Sequence, residues 1–258
     1  MINEPILSSP LASASPPPMI SVITIALNAA KTIGATLESV AIQEECVAQV
    51  EHIVVDGGST DDTLDIVRDY PHVRYISEPD DGIADAFNKG MRLAQGQYLL
   101  YMNADDVLHD STVLRDTLAF IHEHHLPDWV VGNYHVREQD GTIHPSQASF
   151  RPSCWSQIFR QRICHQSVFL KREVLLAVGG FDTDMVASMD YELWARLCLR
   201  GYHLKYYERP IAIYTEGGFS VRYRQIGDRE KKAVQRRLRN TPLKKLAGSI
   251  YDRLKSKT

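Results

Sequence analysis

The sequence predicts an α/β domain with a doubly wound, mixed but mainly parallel sheet flanked by helices. Between residues 20 and 102, four apolar segments typical of buried strands alternate with three segments of helical periodicity. A chain of 258 residues, 44% hydrophobic and 24% charged, suits one sizeable globular domain with appendages. Ligands of such sheets bind beyond the carboxyl ends of the strands, so the pattern also predicts where a site lies.

The first half of the domain supplies the parallel strands. We expect strands at residues 20–27, 51–55, 73–76 and 98–102. Helices are expected at residues 29–43, from about residue 61 onward, and at residues 83–95. This alternation is what implies a parallel sheet with helices on both faces.

The second half is mixed. Helices are predicted at residues 111–125, 171–177 and 190–200. Strands are predicted at residues 129–136, 166–170, 203–207 and 211–214, with a hairpin-type turn at residues 139–141. No internal repeat is visible, and the pattern predicts one domain before a C-terminal tail.

The fourth strand ends in carboxylates, because its apolar residues run directly into Asn103, Ala104, Asp105 and Asp106. Acidic side chains beside a buried strand are costly unless their charge is compensated, and hard divalent cations with oxygen ligands compensate it well. Two interpretations stay open from these residues alone: a metal site at the end of the strand, or a polar turn before the next helix.

Polar residues follow the other strands as well. Asn28, Asp56 and the turn at residues 80–82 should gather with residues 103–106 at one edge of the sheet. The dinucleotide pattern GxGxxG is missing after the first strand, and so is the phosphate-binding pattern GxxxxGK[ST]. The sequence therefore disfavours an NAD-dependent enzyme and an ATPase.

Charge is divided unevenly along the chain. The formal net charge is −3, but residues 221–258 hold 13 Lys or Arg and 3 Asp or Glu, which is +10 and leaves −13 for residues 1–220. Within this tail, Leu243, Leu246, Ile250 and Leu254 recur at helical spacing. We predict a basic amphipathic helix that either lies on an anionic membrane surface or packs on protein.

The N-terminal residues 1–18 are rich in Pro, Ser and Ala, and they predict a disordered leader rather than a signal peptide. Apolar stretches fall short of the ~20 residues that span a bilayer. The four cysteines lie far apart without a CxxC pair, which favours a reduced protein. We expect a cytoplasmic location, with peripheral contact on the inner face of the cytoplasmic membrane if the tail binds lipid.

Together, these segments resemble the family-2 glycosyltransferases of the GT-A fold, particularly bacterial enzymes of surface-polysaccharide synthesis. The matching pieces between residues 20 and 220 are TIALNAAKTIGATLESV, IVVDGGSTDDT, EPDDGIADAFNKG, GQYLLYMNADD, HQSVFLKR, GGFD and SMDYELWARL. The resemblance implies a Rossmann-like GT-A domain at residues 19–220, with a nucleotide-binding half at 19–106 and an acceptor half at 107–220. It also implies inverting sugar transfer from a nucleotide-diphosphate sugar, with UDP-sugars favoured, to a glycan or lipid-linked acceptor.

The resemblance implies specific nucleotide contacts. Asp56 would contact the base in a pocket with Ala26 and Asn28, and Asp81 and Lys89 would lie around the nucleotide.

Residues 103–105 stand where the family has its DxD sequence. Asn103 would touch the ribose, Ala104 would line the nucleotide site, and Asp105 would bind Mn²⁺ or Mg²⁺ at the diphosphate. Asn103 departs from the usual carboxylate; its amide can still bond a ribose hydroxyl but is a poor metal ligand.

On the acceptor side, Asp190 stands at the family's catalytic-base position, preceded by Met189 where another acidic residue is usual. Its position alone also suits a helix N-cap. His165 and Gln166 would face a sugar. The residues implied to form a mobile closing loop are Gly217, Gly218 and Ser220.

Two other classes stay open on sequence grounds. One is a nucleotidyltransferase of related fold, although the Gly-rich loop with Arg and Lys that such enzymes carry is absent around residues 27–32. The other is a non-catalytic nucleotide-sugar-binding protein. None of these classes implies a nucleic-acid partner.

Overall fold

The computed structural model describes residues 6–7, 18–43, 49–146, 163–218 and 222–239. The strands within these ranges are β1 Ile6–Leu7, β2 Ile20–Ala26, β3 Val50–Asp56, β4 Val73–Ser77, β5 Tyr98–Asn103, β6 Val107–Leu108, β7 Trp129–Arg137, β8 Ile143–Pro145, β9 Val168–Lys171 and β10 Leu204–Thr215. The helices are α1 Ile33–Ala41, α2 Thr63–Arg68, α3 Ile83–Leu93, α4 Val113–Glu123, α5 Arg172–Val178, α6 Met189–Leu199 and α7 Arg224–Arg239.

All these strands join one mixed sheet in the order β1-β4-β3-β2-β5-β9-β7-β10-β6, with β8 paired to β7. The central run β4-β3-β2-β5 is parallel, as is the pair of long strands β7 and β10. Antiparallel pairing occurs where β9 joins the two halves and at the edges. The predicted α/β class with a mainly parallel sheet is confirmed.

The core explains why the central strands are apolar throughout. Leu99 and Tyr101 of β5 pack in one hydrophobic cluster, whereas Tyr98, Leu100 and Met102 pack in another. Successive side chains of a strand point to opposite faces, so both faces of β5 are covered. A strand covered on both faces reads as a continuous apolar run, which is the pattern that predicted it.

Two tryptophans connect the sheet to α6. Trp129 of β7 and Trp194 of α6 are both fully buried, and their rings stack with centroids 5.4 Å apart and planes inclined by 19°. The pair packs α6 against β7.

Several elements differ from the sequence prediction. The two strands predicted at residues 203–207 and 211–214 are one strand, β10 Leu204–Thr215, and its pairing with β7 shifts register on both sides of Pro210. Proline lacks the N–H that a ladder needs, so the break visible in sequence is an irregularity within a continuous strand. A 3₁₀ turn, His165–Ser167, precedes β9 where the strand was expected to begin.

Both ends of the chain contribute elements that pack on the rest of the structure. Ile6–Leu7, inside the segment predicted to be a disordered leader, pair antiparallel with β4. At the other end, α7 packs on α6: Val234 and Leu238 are buried, and Arg237 forms an ion pair at 2.5 Å with the buried Glu192. The predicted amphipathic segment at residues 243–254 lies outside the described residues. Within the described ranges, no helix has the length and apolar character needed to cross a bilayer.

Candidate active site

A cleft of about 440 Å³ opens at the carboxyl ends of β2 and β5. The predicted site residues that line it are Ala26, Asn28, Asn103, Ala104, Asp105, His165, Asp190 and Gly218. Loops after parallel strands and the start of α6 thus meet at one edge of the sheet, as expected for this architecture.

The loop after β2 is held by side chains of the loop after β3. Asn28 has a positive φ of 50°, and its Oδ1 accepts a hydrogen bond from the Thr60 N–H at 2.9 Å. Its own N–H donates to Ser59 Oγ at 2.8 Å. Asparagine tolerates this left-handed conformation better than most residues. Asn28 therefore shapes the rim of the cleft as well as lining it.

Asp56 lies at the end of β3 but is fully buried and outside the lining of the cleft. Its carboxylate accepts hydrogen bonds from the N–H groups of Gly58 at 3.1 Å and Ser59 at 2.9 Å, and from Ser77 Oγ at 2.7 Å. The Ser59 hydroxyl donates to it as well. In this structure Asp56 organises the loop behind the rim, whereas the resemblance implied direct contact with the base.

The turn after β4 presents Asp80 to the cleft, while the neighbouring Asp81 is exposed and outside the lining. Lys89 of α3 also lies outside the lining. Its Nζ donates to the Pro79 carbonyl at 2.6 Å and pairs with Glu78 at 3.1 Å and Asp85 at 3.2 Å. Lys89 therefore anchors the turn that carries Asp80.

The adjacent carboxylates Asp105 and Asp106 have different surroundings. Asp105 lines the cleft, and burial raises its pKa above the usual range. Asp106 is completely buried; its carboxylate accepts hydrogen bonds from Asn103 Nδ2 at 2.9 Å, Gln166 Nε2 at 2.5 Å and the Thr215 N–H at 2.9 Å. Burial, and then the charge of Asp105, raise the pKa of Asp106 to about 6. Asp106 ties three parts of the chain together beneath the cleft.

This network corrects one expectation. Gln166 is fully buried and bonds Asp106, so it does not face the cleft. Gly217 also lies outside the lining, and Ser220 lies outside the described residues. Gly218 does line the cleft: a Cβ at this position would lie 3.3 Å from Asp105 Oδ2, so a glycine lets the chain pass close to that carboxylate.

On the opposite wall, Asp190 is the second residue of α6, and Ser188 occupies the N-cap position. Asp190 Oδ1 accepts a hydrogen bond from the Tyr191 N–H at 2.6 Å, and its Oδ2 lies 3.9 Å from His165 Nδ1. The His165 ring packs edge-on against Phe87, and its buried Nε2 has no hydrogen-bond partner among the described residues. The base candidate therefore keeps one oxygen toward the cleft-lining histidine.

The protein side chains around Asp105 can hold a divalent cation only if a bound ligand supplies further oxygen atoms. No group of three or more His, Cys, Asp or Glu side chains placed to hold a metal occurs in the described part of the chain. Asp105, just after β5, is the acidic residue that reaches the cleft from this strand, and burial, which raises its pKa, leaves its negative charge poorly solvated there. A cation held by this carboxylate and by the oxygens of an anionic ligand would relieve that cost.

Sequence reasoning missed several lining residues. The most prominent are Leu27, which is 59% exposed beside Asn28, and Val186, which is 40% exposed before α6. Leu27 was assigned to the end of the first predicted strand, which in the structure ends at Ala26, so its exposure was not foreseen. Nothing in the local pattern around Val186 indicated that this segment reaches the cleft.

Comparison with known proteins gives consistent matches. The family described as Glycosyl transferase family 2 matches residues 21–175. The "PGL/p-HBAD biosynthesis glycosyltransferase" of Mycobacterium bovis (strain BCG / Pasteur 1173P2) is 34% identical over 218 residues, covering 79% of each chain. The "Chondroitin synthase" of Escherichia coli is 26% identical over 184 residues, which are 70% of this chain and 26% of that protein.

Solved structures show the same fold. Residues 1–349 of TarS from S. aureus superpose with a TM-score of 0.65 at 22% identity, covering 76% of this chain and 60% of that one. A mannosyltransferase from Pyrobaculum calidifontis, solved with GDP-Man and Mn²⁺, superposes with a TM-score of 0.62 at 22% identity and covers 80% of this chain and 60% of that one. At this identity the likeness concerns the fold alone.

Proposed function

The chain belongs to glycosyltransferase family 2 and has the GT-A fold, and on that premise we propose that it is an inverting transferase of nucleotide-diphosphate sugars. The donor is a UDP-sugar, and the acceptor is a glycan or lipid-linked saccharide of surface polysaccharide or glycolipid assembly. Family membership makes the chain a glycosyltransferase and removes the nucleotidyltransferase and non-catalytic alternatives.

One observation carries the proposal: Asp105, in the turn after β5, and Asp190 of α6 line the same cleft, with His165 beside both. An inverting transfer needs one carboxylate near the departing diphosphate and another near the attacking hydroxyl. The two walls of the cleft supply one each.

The β2 side of the cleft suits the nucleotide. Asn103 Nδ2 donates to Asp106, so its Oδ1 is the atom that can accept a bond from a ribose hydroxyl. Leu27 and Ala26 offer apolar surface for a base beside Asn28. Asp56 and Lys89 support the proposal indirectly, since they hold the two loops that border this pocket. TarS has been solved with UDP and with UDP-GlcNAc, which supports testing UDP-sugars first.

In the proposed reaction, Asp190 takes the proton of the acceptor hydroxyl while that oxygen attacks the anomeric carbon. The bond from the anomeric carbon to the diphosphate oxygen breaks on the opposite face, so the sugar's configuration inverts and a nucleoside diphosphate leaves. Mn²⁺ or Mg²⁺ bound through Asp105 would supply charge stabilisation for the departing diphosphate. The Tyr191 N–H holds one Asp190 oxygen, which leaves Oδ2 to accept the proton.

An assay of UDP release tests the proposal. UDP-sugars with Mn²⁺ are screened for ligands that raise the melting temperature, because a ligand that binds only the folded chain stabilises it. Stabilising donors are then incubated with candidate lipid-linked or glycan acceptors. Acceptor-dependent UDP release that Asp190→Asn removes, and that Asp184→Asn at an exposed turn leaves intact, supports the proposal. Acceptor-dependent release at the wild-type rate by Asp190→Asn would contradict it.

A further inference from the structure

Glu230 of α7 accepts three hydrogen bonds from consecutive backbone N–H groups of another segment. Its Oε1 accepts from Val186 at 2.6 Å, and its Oε2 accepts from Ala187 at 3.0 Å and from Ser188 at 2.9 Å. These residues lie more than 40 positions earlier in the chain. A single carboxylate therefore accepts hydrogen bonds from all three backbone N–H groups of residues 186–188.

The contact belongs to a close docking of α7 on this segment. Ser188 Oγ donates to the Gly227 carbonyl at 3.1 Å, and a Cβ at Gly227 would lie 3.3 Å from that hydroxyl. Serine at an N-cap ordinarily accepts from the helix's first N–H groups, but here the Ser188 side chain makes no such bond. The start of α6 is thus stabilised from outside, by α7.

The segment that Glu230 holds is part of the cleft. Val186 and Ala187 line it, and Asp190 follows Ser188 by two residues. Any change in the path of residues 186–188 moves both a wall of the cleft and the carboxylate at the start of α6.

We propose that Glu230 is a positioning residue for sugar transfer, which fixes residues 186–188 and through them the orientation of Asp190. The proposal rests on the proposed function for the role of Asp190 as base. It also makes α7, although it follows the catalytic domain in sequence, a working part of the active site.

The test combines backbone exchange with kinetics. In Glu230→Ala, amide hydrogen exchange at residues 186–188 should accelerate at least about 10-fold because three N–H groups lose their acceptor. The kcat for transfer should fall on the order of 10- to 100-fold, as small displacements of a catalytic group do, while UDP affinity stays unchanged. Glu230→Gln should lie between, since its amide oxygen still accepts but its NH₂ group opposes an N–H. Asp228→Asn on the same helix is the matched control and should change neither quantity.

Unchanged exchange at residues 186–188 in both Glu230 variants would overturn the proposal. So would a lower melting temperature with wild-type kcat at a temperature where the variants are folded. If Glu230→Ala does not fold, Glu230→Gln provides the same comparison.

A double variant separates this proposal from the proposed function. If Glu230 acts through Asp190, Glu230→Ala causes no further loss of kcat in an Asp190→Asn background. If Glu230→Ala lowers kcat by the same factor in the Asp190→Asn background as in the wild type, Glu230 does not act through Asp190. Wild-type turnover by Asp190→Asn alone would defeat the base assignment, whereas the exchange result still reports on Glu230.

Discussion

Gln166 donates a hydrogen bond to Asp106 across 2.5 Å, and this contact separates the roles of two adjacent carboxylates. The Asp106 side chain is buried and hydrogen-bonded in the interior, whereas the Asp105 side chain lines the cleft. One carboxylate of the pair therefore holds a buried hydrogen-bond network, and its neighbour faces the cleft.

We predict that Asp106→Ala chiefly lowers stability. The substitution leaves the donors of Asn103, Gln166 and Thr215 without their acceptor; Gln166 is fully buried and the other two are half-buried, so the total cost should be about 2–4 kcal/mol. The melting temperature should fall by roughly 5–15 °C, as measured by thermal denaturation.

Asp105→Ala should show the opposite pattern. Metal-dependent binding of UDP and sugar transfer should be lost, while the melting temperature stays near that of the wild type, because the Asp105 side chain faces the cleft. Isothermal titration of UDP with and without Mn²⁺ measures the difference. Unaltered UDP binding with Mn²⁺ in this variant would refute a metal ligand at residue 105.

Asp190→Asn should reduce transfer by a factor on the order of 10²–10⁴ with donor binding nearly unchanged, since the amide keeps the shape of the side chain but cannot take a proton. Ser188 holds the N-cap position, so Asp190→Ala should cost little stability. If Asp190→Asn keeps its activity and Asp190→Ala only lowers the melting temperature, Asp190 stabilises the start of α6 and is not the base. Steady-state kinetics and thermal denaturation of both variants decide the matter.

His52 should make stability depend on pH. It is buried in β3, where it shares a hydrogen bond of 2.9 Å with Thr24, and burial followed by the charge of His72 lowers its pKa to about 3. Between about pH 6.5 and 3 the unfolded chain binds a proton that the folded chain does not, so stability falls as pH decreases through this window. When the pH is lowered from 7.5 to 5.5, the contribution of His52 should decrease the free energy of unfolding by about 1.4 kcal/mol.

Urea unfolding at these two pH values measures the effect. His52→Gln should remove this part of the loss, and His122→Gln, at an exposed position of α4, should keep it. Equal pH dependence in His52→Gln and the wild type would show that another group is responsible.

The basic segment beyond α7 gives a further prediction. Residues 241–258 carry five Lys or Arg and one acidic residue, and each cation contributes about 1 kcal/mol near an anionic bilayer. The full chain should float with anionic vesicles, and a chain ending at Asn240, which retains α7, should float less. If truncation leaves flotation unchanged but lowers the melting temperature, the segment packs on protein instead.

Sequence reasoning located the strands β2 to β5 and the helices α3 and α4 within about two residues of each end. Helix α1 begins at Ile33, four residues later than expected, and its N-cap Thr32 makes no capping side-chain hydrogen bond. Period-3.6 and continuous apolar patterns are local properties, so one sequence contains them. β1 and β6 were missed because each has two residues and depends on a distant partner strand.

The candidate site also has features that local sequence patterns predict and features that they do not. The predicted ends of the strands indicated that Asp105 and the turn at residues 80–82 would lie together. They did not indicate which of two neighbouring residues faces the cleft, which is lined by Asp80 rather than Asp81 and by His165 rather than Gln166. That choice depends on the path of the backbone through a turn, which composition does not encode. Glu230 was out of reach for a different reason, since its partners are more than 40 residues away.

The stacked pair Trp129 and Trp194 gives the protein an internal optical reporter. Indole rings this close couple electronically, so the pair should contribute a distinct signal to the near-ultraviolet circular dichroism spectrum. Trp194 lies one helical turn beyond Asp190 in α6, so tilting of that helix as substrates enter would change the coupling without any label. The spectrum would therefore report, without an added label, whether α6 moves when a ligand binds in the cleft.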